Sequence, residues 1–212
     1  MRLRLLFTSL LLAVLPASGA VASTITMDLS IHFGTDPSSG PVAATFVDTV
    51  APAGVTLTLD THGLDLDTEF VSGWYFNFLG ETSGLTFTYV SSSSSGPDAT
   101  TVSLGDDEFM ADGDGDYDIL LAFPNSGDRF NLDETVVYTI TGTGIAAIDF
   151  NEFSVMGGGQ GEYLSAAKIQ GTDLEGTSDG SDWLGAVPEP STALLLLGGL
   201  SGLVVWGRRR LH

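Results

Sequence analysis

Apolar and polar residues alternate with a period of two along several stretches of this chain. Val55, Leu57 and Leu59 alternate with Thr56, Thr58 and Asp60; Leu85, Phe87 and Tyr89 with Thr86, Thr88 and Val90; Val136, Tyr138 and Ile140 with Val137, Thr139 and Thr141. Successive side chains of a strand point to opposite faces, so this pattern predicts half-buried strands. Further strands are expected over 24–33, 69–79, 117–123, 150–155 and 163–170, which brings the set to eight, with short additions near Thr45 and Val102. Between Ser23 and Val187 no stretch of ten residues has a helical period, and only Ile145–Asp149 offers a single turn. Glycine-rich breaks at 142–144 and 157–161 punctuate the strands. The pattern predicts an all-β fold, an antiparallel β-sandwich of jelly-roll or immunoglobulin-like kind, with a closed barrel as the alternative. Ser91–Ser95, followed by Gly96, Pro97 and Asp98, is expected as a mobile surface loop. Residues 171–187 are expected to be partly spacer, with Trp183 and Leu184 docking on the domain.

The two ends break the pattern. Arg2 and Arg4 precede an apolar run, Leu5–Leu15, and then Pro16 and small residues ending in Ala20, Val21 and Ala22. Residues 1–22 therefore form a secretory signal peptide, cut after Ala22 or, as alternatives, after Ala17 or Ala20. Passage through the Sec translocon and removal by signal peptidase follow from that assignment. At the other end stand Val187, Pro188, Glu189, Pro190 and Ser191, an apolar run from Thr192 to Trp206, and Arg208, Arg209 and Arg210. The prolines lack amide protons and fix their own φ, so the chain before the apolar run is extended and accessible. As a helix the run is about 22 Å long, short of a hydrocarbon core of about 30 Å. Snorkelling arginines and local thinning close that gap, so a transmembrane helix is expected over 191–207, with Arg208–Arg210 in the cytoplasm and the body on the other side. The chain thus divides into 1–22, a body over 23–187 and a C-terminal segment over 188–212.

The body carries 26 acidic side chains against two basic ones, Arg129 and Lys168, within a chain of net charge −20. That surface repels nucleic acid and anionic headgroups, and favours divalent cations or neutral and cationic partners. There is no cysteine, which excludes thiol catalysis, disulfide staples and cysteine-based metal sites.

One stretch concentrates candidate chemistry. Asp106, Asp107, Glu108, Asp112, Asp114, Asp116 and Asp118 fall within thirteen residues. Such a density repels itself unless a cation neutralises it, and alternating Asp-Gly turns several oxygens inward. Asp112, Asp114, Asp116 and Asp118 have the spacing of positions one, three, five and seven of an EF-hand loop, which makes Ca2+ the expected cofactor. Tyr117 stands where that loop needs glycine and Phe123 where it needs glutamate, so the expectation is a calcium-stapled loop at a sheet edge and not an EF-hand. No catalytic residue is assigned. His32 and His62 are expected as ordinary strand or turn residues, and no nucleophile elbow occurs. Two rival functions stay open: a carbohydrate-binding module using Trp74, Tyr75 and Trp183, and a secreted glycoside hydrolase-like enzyme using two of the many carboxylates.

The segment VPEPSTALLLLGGLSGLVVWGRRR resembles the PEP-CTERM sorting signal of exported bacterial proteins. That resemblance implies recognition of Pro188, Glu189 and Pro190 by an exosortase, a membrane-embedded transpeptidase-like enzyme. It also implies a Gram-negative host that makes extracellular polysaccharide. More faintly, SGWYFNFL (72–79), FMADGDGDYDILLAFP (109–124) and YLSAAKIQG (163–171) look similar to blocks of exported PEP-CTERM proteins with β-rich bodies, in which a histidine often stands where this chain has Lys168. The implied role is a membrane-tethered exosortase substrate, structural or adhesive at the cell surface or in an exopolysaccharide matrix.

Overall fold

The computed structural model describes residues 22–34, 39–50, 53–158, 161–172 and 180–188. Nearly all of the expected signal peptide, together with Glu189, Pro190, the expected helix at 191–207 and Arg208–Arg210, lies outside the described residues. Among the described residues no helix is long and apolar enough to cross a membrane.

Among the described residues eleven strands follow one another: β1 (Thr24–His32), β2 (Val42–Val50), β3 (Ala53–Asp60), β4 (Phe70–Phe76), β5 (Thr86–Tyr89), β6 (Thr101–Ala111), β7 (Asp114–Ala122), β8 (Phe130–Asn131), β9 (Thr135–Thr141), β10 (Ser165–Gln170) and β11 (Ser181–Ala186). They form one antiparallel sheet in the order β5-β9-β3-β2-β1-β11-β10-β4-β7-β6, with β8 beside β4. The fold is therefore all-β and antiparallel, as the alternation predicts, but its strands belong to one continuous ladder and not to two separately bonded sheets.

The ladder is rolled. Phe46 of β2 meets Phe76 of β4 edge-on at 5.1 Å, although four strand spacings, about 19 Å in a flat sheet, separate the two strands. Phe150 stacks on Phe46 at 4.3 Å and touches Phe78 at 5.1 Å, plugging one end of the roll. Cross-strand rows such as Ile25–Phe46–Leu57–Tyr138 and Ala167–Trp74–Leu121 supply the two facing walls of the core. Trp74 lies wholly inside it, its indole N–H donating to Ser165 Oγ at 3.0 Å. β5 and β6 end the path, and among the described residues no ladder joins them.

Three elements depart from expectation. No strand forms over 150–155: Phe150 ends a 3₁₀ turn, Ala147–Phe150, which overlaps the single turn expected at Ile145–Asp149, and only Val155 bridges to Asp116. Asp149 caps that turn by accepting the Ala146 N–H at 2.8 Å, a local bond that competes with strand pairing. Near Thr45 and Val102 stand long strands, β2 and β6, in place of short additions. Within the stretch 171–187 expected to be partly spacer, Ser181–Ala186 form β11, which pairs with both β1 and β10. Trp183 and Leu184 are buried there, as their expected docking requires.

Candidate functional site

The acidic stretch folds as a hairpin. Asp112 (φ 52°) and Gly113 (φ 72°) are the two residues between β6 and β7, and positive φ at both positions makes a type I′ turn, for which Asp-Gly is a favoured pair. Ala111 pairs with Asp114 to close it. Farther back, Leu104 pairs with Ile119 and Phe109 with Tyr117, so the four residues Gly105–Glu108 bulge opposite Asp118 alone. Asp107 sits on this bulge in the left-handed region, and its N–H donates to Asp118 Oδ1 at 2.8 Å. Asp118 Oδ2 accepts the N–H of Phe78 at 2.9 Å. The buried Asp118 carboxylate therefore pins the bulge of β6 to the end of β4.

The other expected ligands are placed differently. Asp112 is exposed at the turn, Asp116 exchanges backbone bonds with Val155 at 2.9 and 3.1 Å, and the Asp114 side chain lies outside the described residues. Among the described residues, no group of three or more histidines and carboxylates is arranged to hold a metal ion. The carboxyl of Asp107 is pushed up by loss of hydration first, and then by repulsion from Asp118, Asp106 and Asp116.

A second constellation escaped sequence reading. Asp182 is wholly buried on β11, and its Oδ2 meets His32 Nδ1 at 2.5 Å and accepts the Ser39 hydroxyl at 2.8 Å; its Oδ1 accepts the N–H of Trp183 at 2.7 Å. Histidine, aspartate and serine thus converge, but both outer groups bond the carboxylate and Ser39 does not bond the imidazole. Acyl transfer needs the hydroxyl on the free ring nitrogen, so these contacts describe a clasp between β1, the 39–40 segment and β11. Sequence separations of 150 and 143 residues left no local signal for it. His62, the other histidine of the body, bonds Asp60 at 2.7 Å on the surface.

Of the aromatic residues proposed to meet sugars, Trp74 is in the core, Trp183 is 7 % exposed and Tyr75 is half-buried. Phe33 stacks on Tyr163 at 4.8 Å, and Trp183 and Tyr75 lie 5.5 Å apart; with Tyr117, Ala111 and Ala166 they form a second apolar cluster on the outer face of the sheet.

The C-terminal motif begins where the fold ends. Ala186 is fully buried, pairs with Leu29 and Ser165, and accepts the N–H of Leu164 at 2.8 Å. Val187, at 41 % exposure, and Pro188 follow directly in the open. No linker separates a central strand from the first residues of the motif.

No curated protein and no solved structure matches the chain. A family model describing the PEP-CTERM protein-sorting motif matches residues 186–210. That motif implies export and membrane-linked processing by an exosortase. This chain thus carries the C-terminal signal of PEP-CTERM exosortase substrates on a β-rich body.

Proposed function

We propose that the chain is exported through the Sec translocon, loses residues 1–22 to signal peptidase, and is held by a helix over 191–207 with Arg208–Arg210 in the cytoplasm. An exosortase-like transpeptidase then acts at Pro188–Pro190, and the rolled sheet is displayed at the cell surface or in the exopolysaccharide matrix as a structural or adhesive protein. The observation that carries this reading is the junction at Ala186. The last ladder residue is buried and the next two are exposed, so a cut in the motif removes no part of the described sheet. Mass spectrometry of the native extracellular form tests it. A C-terminus near Pro188–Pro190 is expected, and a product ending at His212 overturns the proposal.

Calcium enters this reading through the carboxylates of Asp112, Asp114 and Asp116 and the backbone carbonyl of Asp118, whose carboxylate is already committed to two backbone amides. A binder of the folded state raises the melting midpoint by mass action. A rise in Tm at millimolar calcium that Asp114→Asn abolishes supports the site; an unchanged Tm removes calcium from the account.

A further inference from the structure

The two basic side chains of this acidic body stand on one face. On β10, Ala167 and Ile169 point into the core, which leaves Lys168 and Gln170 on the outside. Lys168 pairs across the ladder with Trp183 and holds its ammonium 5.4 Å from the centre of that ring. Gln170 pairs with Phe70 of β4, and the Arg129 guanidinium lies 4.3 Å over the Phe70 ring. Between them, Gln170 Nε2 donates to Ser72 Oγ at 3.2 Å. Arg129, Lys168, Gln170, Ser72 and Tyr75 are all half-buried, held in place yet reachable from solvent.

Neither cation has a carboxylate partner among the described residues; the ion pairs there are His32–Asp182 and His62–Asp60. A protein with 26 carboxylates in its body could readily neutralise two cations, yet these two rest on aromatic rings. A cation over a ring is positioned without being neutralised and keeps most of its N–H donors for a ligand. Lys168 and Phe70, which carries Arg129, are offset by one two-residue step along β10, about 7 Å, and one strand spacing, about 5 Å. An amide and a hydroxyl lie between the two charges.

We propose that this outer face of β4, β10 and β11 binds an anionic polysaccharide, with Lys168 and Arg129 on successive acidic sugar units and Gln170, Ser72 and Tyr75 against the ring between them. The proposal rests on the matrix location argued above and deepens it by assigning a charge to the polymer bound. Charge complementarity selects a polyanion for this face, and a flat strip offering separate cations, an amide, a hydroxyl and a phenol suits an extended sugar chain carrying acids at regular intervals. Carboxylates of the body that lie well away from this face oppose a polyanion only at long range. With a Debye length of about 8 Å at physiological ionic strength, that opposition is screened while contact pairs survive.

Affinity gel electrophoresis of the full-length protein in nonionic detergent, with polygalacturonate or dextran cast in the gel, tests the face separately from sorting. Retardation by polygalacturonate and none by dextran is expected. Lys168→Met and Arg129→Met, which keep an apolar chain over each ring, should each weaken binding about five- to tenfold. Lys168→Arg should retain it, with near-UV circular dichroism confirming that every variant is folded. Equal retardation by dextran, indifference to both methionine variants, or equal binding of polyglutamate overturns the proposal, the last by making the partner an acidic protein. A terminus at His212 in cells with polygalacturonate binding intact would sink the sorting reading alone; a correctly cut protein that ignores polygalacturonate would sink this one alone.

Discussion

The outer surface of the rolled sheet has two unlike halves. Over β1, β2, β3, β9 and β5 the outward rows read Thr24–Val47–Thr56–Thr139–Thr88 and Thr26–Thr45–Thr58–Val137. These side chains are exposed or half-buried, and among the described residues no second layer covers them. Over β11, β10 and β4 the outward positions carry Trp183, Ala166 and Tyr75, and Phe33, Tyr163 and the tip of the β6–β7 hairpin pack on top. One half therefore has one dry face, and the other is dry on both sides around Ala166 and Gly185 while Lys168 and Gln170 stay reachable from solvent.

That difference explains which strands alternate. β9 shows strict burial alternation, whereas β11 is buried from Asp182 through Ala186. Period-two patterning is a signature of one wet face, so a strand covered on both sides loses it. The doubly covered half also requires glycines as seats. A Cβ on Gly185 would lie 2.4 Å from Tyr163 Cδ1, so the tyrosine ring rests directly on the bare backbone of β11.

The contrast can be broken at its strongest point first. Asp118→Ala leaves the N–H groups of Phe78 and Asp107 without their acceptor beside a buried site, and should cost about 2–4 kcal/mol in urea unfolding. A loss below about 0.5 kcal/mol would show that the bulge re-bonds to water. Gly185→Val should expel the Tyr163 ring from its stack on Phe33 and cost about 1–3 kcal/mol through overpacking, with loss of near-UV aromatic signal.

A subtler effect depends on pH. Glu69, just before β4, is buried; its Oε2 accepts the N–H groups of Asp65 and Leu66 while Oε1 has no partner. Burial first, and then the nearby Asp65 and Asp182 carboxylates, push its carboxyl above the usual 4.5, against the pull of the two amide bonds. Ionisation then costs more in the folded chain than in the unfolded one. The neutral form's contribution is complete below pH 4.5 and is lost as the pH rises through the higher folded value. Glu69→Gln keeps an acceptor for both amides and should flatten this decline; unfolding curves from pH 4 to 8 that stay parallel to wild type would refute it. Smallest of all, Thr45→Val in the open rows should stay within about 0.5 kcal/mol, since no layer of described residues covers it, and a larger change would reveal a covering layer.

The alternating text of β3 and β9 was legible because those strands keep one wet face. The Pro-Glu-Pro segment at the C-terminus was legible because it is a linear arrangement of charge, apolar length and proline, which needs no fold to be read. The structural uses of the acidic run were not legible, for a physical reason. Asp112-Gly113 makes a tight hairpin and Asp118 accepts two amides, and both uses of aspartate look identical in sequence to a ligand set. Its partners sit forty residues away at Phe78 and eleven away at Asp107.

What the sequence determined by itself is the all-β character, the acidity and the address at the C-terminus, since each follows from local period or composition. Only the tertiary structure decided that the spacer contains a central strand, that Asp182 clasps His32 and Ser39, and that Lys168 and Arg129 share one face. Those relations join residues that rolling the sheet brings together, and contact across long loops leaves no periodic trace along the chain.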